Sequence, residues 1–148
     1  MTARSLLAGA AIAVTLSVAG HAMAADPIET RQAIMSSVGA AAKVSGEMLK
    51  GNIAFSPDVA MSALATFTAA GWIYTAFFPE DSNKGDTKAK ETIWTDRDGF
   101  VAASEKFASD AAAAMAAKPA DLDAFKAAFG NVAKNCQSCH EDYRVSRN

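Results

Sequence analysis

Leu122, Phe125, Phe129, Val132, Cys136, Cys139 and Tyr143 follow one another at spacings of 3, 4, 3, 4, 3 and 4 residues. That alternation is the inward seam of a helix packed in a bundle, because residues three and four apart share one face. A half-buried strand would instead alternate with a period of two, and no useful run after residue 25 does so. The seam carries both cysteines of the chain within NCQSCHEDYR (135–144), with a histidine directly behind the second.

Three further helical stretches precede it. Asp26-Pro27 is an N-cap followed by a first-turn proline, and Ile28, Met35, Val38, Ala42 and Met48 then recur at roughly helical spacing up to Gly51. Ser56-Pro57-Asp58 starts a second helix, with Met61, Leu64, Phe67 and Trp72 on its apolar face, ending at Pro79. The polar stretch PEDSNKGDTKAK (79–90) is the longest connection. A third helix is expected from Glu91 to Lys118, with Ile93, Trp94, Phe100, Val101, Phe107 and Met115 facing inward. Pro119 breaks it and Asp121 caps the fourth. The expected fold is all-α, an antiparallel up-down-up-down four-helix bundle. At 148 residues there is room for one such domain. A net charge of −2 without a basic stripe argues against a nucleic-acid partner.

The first residues read as a different kind of segment. Arg4 precedes the apolar run LLAGAAIAVTLSVAG, and Ala22-Met23-Ala24 supplies small residues at a cleavage site. Residues 1–24 are therefore expected to be a signal peptide, leaving 25–148 as an exported domain in the periplasm. The run is too short for a comfortable membrane anchor, so the processed chain is expected to be unanchored. Processing removes Arg4 and His21, leaving thirteen basic against sixteen acidic residues and His140 as the one histidine. Chemistry that needs two imidazoles is then excluded.

Cys136 and His140 lie one turn apart on nearly the same face, so thiols and imidazole point together into the bundle. Four readings compete for them. A disulfide between Cys136 and Cys139 would close too short a loop to remove much unfolded-state entropy. A dithiol redox centre sits at a helix N-terminus beside a βαβ unit, and this pair sits near a helix C-terminus in an all-α chain. Zinc would need a fourth ligand, with no second histidine or third cysteine to offer it. Covalent haem fits best: in C-x-x-C-H the two thiols bond the porphyrin vinyl groups and the histidine binds iron.

With RQAIM (31–35), FFP (77–79), TKAKETIW (87–94) and NCQSCHEDYR, the processed chain resembles the cytochrome c′ family, the class II c-type cytochromes. Four-helix bundles of the up-down kind include cytochrome c′ itself. The resemblance implies one haem c with its iron, attached through thioethers at Cys136 and Cys139 and ligated by His140. It implies that Arg31 and Gln32 stand at the haem edge, Arg144 on the proximal side and Met35 over the distal face. Glu91-Thr92 stand where the family often has proline-glutamate, which puts a haem-edge contact by that loop in question.

No paired carboxylates, nucleophile–base pair or phosphate loop is evident, so an enzyme is not expected. Two functions remain. The first is periplasmic electron transfer with unidentified redox partner proteins. It would use Met35 as sixth ligand, a soft thioether on a helix kept slim by Gly39. The second is a five-coordinate protein that binds nitric oxide or carbon monoxide, with Met35 only packed against the haem. The resemblance also implies a homodimer through the first two helices. Trp72 and Trp94 read as core or interface aromatics, Tyr143 as packing, and Met48, Met61 and Met115 as core filler.

Overall fold

The structure, a computed structural model, describes residues 26–146, so the leader and its cleavage site lie outside the described residues. Its long helices are α1 (Pro27–Leu49), α2 (Pro57–Ile73), α4 (Arg97–Ala116) and α5 (Leu122–Tyr143), with the one-turn α3 (Thr92–Thr95) ahead of α4. Each long helix starts on a side-chain cap. The carboxylate of Asp26 accepts from the Ile28 amide, the Ser56 hydroxyl from Val59, Asp96 from Gly99 and Asp121 from Ala124. Such caps satisfy amides that the first turn cannot bond internally, and each contributes about 1 kcal/mol.

Two boundaries differ from the sequence expectation. Instead of one helix from Glu91 to Lys118, the chain breaks at Asp96, whose backbone (φ −124°, ψ 62°) leaves the helical region. Its carboxylate competes there for the Gly99 amide (3.2 Å) and accepts from the Tyr143 hydroxyl (3.0 Å). Likewise, α2 stops at Ile73 and tightens into a 3₁₀ turn over Tyr74–Phe77 before Pro79.

Two apolar clusters hold the bundle. The larger joins α1, α2, α4 and α5 through Val38, Met48, Leu64, Phe67, Ala111, Phe125 and Val132, with Met61, Met115 and Phe129 packed against it. Burying a side chain such as Phe67 contributes roughly 1.5–3 kcal/mol. The smaller cluster, Phe78, Ile93, Phe100 and Tyr143, closes the other end through edge-on ring contacts of 4.9 Å (Phe78–Phe100) and 5.3 Å (Phe100–Tyr143). Trp94 and Cys139 pack on it half-buried. Along α5 the seam is buried at Phe125, Val132 and Tyr143 and half-buried at Leu122, Phe129, Cys136 and Cys139. Trp72 is no part of either core: with Val59 and Ile73 it stays on the outer face of α2, 55% exposed.

Candidate haem site

Between the two clusters lies a cavity of about 510 Å³, within the range of small-molecule and cofactor sites. Met35, Val38 and Gly39 of α1 form one wall, and Cys136, Cys139 and His140 of α5 another. These two helices hardly touch each other, so the cavity separates them. Gly71, Ser104 and Phe107 lie on the α2–α4 side, and Tyr74, Phe78, Ile93 and Phe100 close the aromatic end. Met35 is half-buried, and at Gly39 an added Cβ would meet nothing within 4 Å.

Burial sets the direction in which the thiols and the imidazole are shifted. Both cysteines are free. Burial pushes the Cys139 thiol up to about 11, helped by neighbouring Cys136 and Asp142, and burial raises Cys136 as well. A catalytic dithiol would show the opposite shift. His140 lines the cavity yet is exposed, not buried in the bundle as its spacing suggested, and desolvation and then the Arg144 charge hold its pKa below the ordinary value. That favours neutral imidazole, the form that ligates a metal.

Charge along the lining is one-sided. Arg31, Lys88 and Arg144 reach the cavity, and no carboxylate among the described lining residues joins them. Haem brings two propionate carboxylates, so the paired thiols, single imidazole and cationic rim all suit that group.

Arg31 and Gln32, expected at the haem edge, do line the cavity, and both also reach the 77–87 loop. Arg31 is 2% exposed. Its Nη1 donates to Ser82 Oγ (2.9 Å) and the Phe77 carbonyl (3.3 Å), its Nη2 to the Ser82 carbonyl (2.8 Å) and Thr87 Oγ1 (2.7 Å). The guanidinium also lies 4.5 Å above the Phe78 ring, a cation–π contact. Desolvation lowers its pKa, against smaller opposing effects of Tyr74 and Asp26. Gln32 Nε2 donates to the Asp86 carbonyl at 2.7 Å. Arg144 is half-buried just beyond α5, with its backbone amide on the His140 carbonyl (3.2 Å).

Sequence reasoning missed Thr87, Lys88 and Ala89, which line the cavity even though Glu91-Thr92 depart from the family pattern. The TKAK run held the signal: two cations beside one threonine in the connection ahead of Ile93-Trp94. Asn135 was missed too. It is buried, lines the cavity and donates to Asp110 Oδ2 (2.7 Å) on α4, which fixes α5 in register beside Cys136.

An all-α bundle with a C-x-x-C-H motif lining an interior cationic cavity defines a c-type cytochrome of the helical-bundle class. Comparison with known proteins narrows this: residues 26–144 match the family model described as Cytochrome C′. The chain is 39% identical over 125 residues to cytochrome c′ of Rhodopseudomonas palustris, covering 82% of this chain and 84% of that one. It is 31% identical over 124 residues to cytochrome c-556 of Agrobacterium tumefaciens strain apple 185, covering 80% and 94%. Among solved structures, cytochrome c′ from R. palustris superposes with a TM-score of 0.80 at 36% identity, covering 84% of this chain and all of that one. Cytochrome c prime from Shewanella frigidimarina superposes at 0.75 and 34% identity, covering 82% and 96%. The chain belongs to the cytochrome c′ family, whose members are c-type cytochromes that bind one covalent haem c with its iron.

Proposed function

We propose that this chain is a periplasmic one-electron carrier, its haem held by Cys136 and Cys139 and its iron ligated by His140 and Met35. The observation that carries this reading is the pairing of walls. One thioether on α1 and one imidazole on α5 line the same cavity from helices that hardly touch. When bound, the haem supplies an iron that alternates between ferric and ferrous states, and histidine/methionine ligation favours the ferrous one. The chain's own residues do the rest. Desolvation favours the neutral form of His140, and Phe78, Ile93, Phe100 and Tyr143 keep water from the aromatic end. Arg31, Lys88 and Arg144 offer positive charge to the propionates, Gln32 stands beside them, and Gly39 leaves α1 slim opposite α5.

Export follows from the signal-like residues 1–24, with Ala25 as the expected mature N-terminus. The exposed Val59, Trp72 and Ile73 on α2 support a homodimer through α1 and α2, which sedimentation velocity would read as twice the monomer mass.

The deciding experiment is an absorption spectrum of the purified protein, ferric and ferrous, with and without carbon monoxide. Haem that stays with the chain through acid–acetone extraction, a low-spin ferric spectrum and poor carbon monoxide binding are expected. Met35→Ala should then turn the spectrum high-spin and admit the gas. A wild-type protein already high-spin and readily binding carbon monoxide would instead establish the five-coordinate reading, in which the chain binds nitric oxide or carbon monoxide.

A further inference from the structure

We infer that the connection over residues 82–92 is a strap that sets the separation of α1 and α5, and with it the reach of Met35 towards the group held by His140. The inference rests on the reading of Met35 and His140 as facing ligands. The two helices need some such device, because direct packing between them is slight.

At its α1 end the strap is pinned by Arg31, through Ser82 and Thr87, and by Gln32, through Asp86. At its α5 end it forms an antiparallel bridge between Ala89 and Arg144, with Val145 N donating to Lys88 O (2.8 Å) and Lys90 N to Tyr143 O (3.0 Å). Two side chains add to it: Lys90 Nζ donates to the Glu141 carbonyl and Thr92 Oγ1 to the Asp142 carbonyl (2.8 Å).

The last four carbonyls of a helix have no partner within it. In α5 these belong to His140, Glu141, Asp142 and Tyr143. Arg144 N takes the first and the strap takes the other three. The turn carrying His140 is therefore tied directly to the segment that Arg31 anchors, four residues ahead of Met35. Lys90 and Thr92 are positioning residues: they touch α5 but do not line the cavity. Thr92 is one of the two residues by which this chain departs from the family pattern, and its hydroxyl acts on α5 instead of at the haem edge.

The test uses the haem-loaded protein and two double variants. Lys90→Met with Thr92→Val deletes both side-chain caps at nearly constant volume, and Lys90→Arg with Thr92→Ser keeps a donor at each site. Losing two such bonds should speed amide exchange at Lys90 and Val145 by about tenfold. The same variant should gain a high-spin fraction and bind carbon monoxide at least about threefold more tightly, whereas the donor-keeping pair stays near wild type. Faster exchange with unchanged spectrum and gas affinity would overturn the inference, leaving the strap as a helix cap alone. If the double variant fails to accumulate, the Thr92→Val and Thr92→Ser singles carry the same comparison. Failure of the ligand reading is separately visible, as a wild-type spectrum that Met35→Ala does not alter. Gas affinity still reports the wall separation in that case.

Discussion

Replacing Gly71 with alanine tests how tightly the cavity is framed. An ideal Cβ at Gly71 would lie 2.8 Å from Ala108 Cβ and 2.9 Å from both its Cα and its backbone nitrogen. Two of those three atoms are backbone, so no rotamer change relieves the clash. Carbon atoms pack at about 3.5–4.0 Å, and α2 and α4 must part by most of an ångström to reach that spacing. Overpacking of this kind costs about 1–3 kcal/mol. Parting the helices also stretches the buried bond from Ser104 Oγ to the Gly71 carbonyl, now 2.7 Å, at about 1 kcal/mol. Against this, alanine is about 1 kcal/mol better than glycine inside a helix. The net expectation is a loss of about 1–3 kcal/mol.

Guanidinium chloride unfolding of the haem-loaded protein reads this as a lower midpoint at unchanged slope. Gly130→Ala is the control, because Gly130 is exposed inside α5 and an added Cβ meets nothing within 4 Å. That variant should gain about 0.5–1 kcal/mol. If Gly71→Ala is as stable as wild type while Gly130→Ala shows its gain, the close approach of α2 and α4 is not what fixes a glycine at 71.

Two further outcomes follow from local features. Lys118, just past α4, holds a left-handed φ of 47° that a side chain resists, so Lys118→Gly should raise stability by about 0.5–1 kcal/mol in the same assay. No gain there would mean that contacts of the lysine stem outweigh its strain. Burial pushes the Tyr74 phenol from 10.0 up to about 12. The unfolded chain sheds this proton near 10 and the folded chain near 12, so its contribution falls as pH rises between those values. Tyr74→Phe should flatten the alkaline fall in unfolding midpoint over that window, and an unchanged slope would show that the phenol titrates as if unfolded.

The helices and the attachment motif were legible because both are local. A 3-4 spacing specifies an inward face from one segment alone, and C-x-x-C-H needs only one turn of α5 to bring thiols and imidazole to one cavity. The break at Asp96 was less visible, since no glycine or proline interrupts residues 91–98. The signal was Asp96 three residues before Gly99, a side-chain oxygen in reach of a free amide. Trp72 reads as core by composition yet is exposed, because the apolar stripe of α2 is wider than the one face its neighbours cover.

The cavity's charge could not be read from any single segment. Arg31 sits on α1, Lys88 in the strap and Arg144 beyond α5, and each alone looks like an ordinary solvated cation. Only the fold brings them to one cavity, and it buries Arg31 against carbonyls, hydroxyls and an aromatic face, with no ion pair and only a weaker charge interaction with Asp26 to set against its desolvation. An ion held that way is expensive for the chain on its own. Neutral acceptors lower the cost by hydrogen bonding, but they leave the net charge of the rim intact. A dianionic edge brought to that rim offsets it, whereas an uncharged ligand of the same size would not. On the proposed reading, the cysteines and histidine would supply attachment and ligation of the haem, while the cations, supplied by three separate segments, would offer positive charge to its propionates.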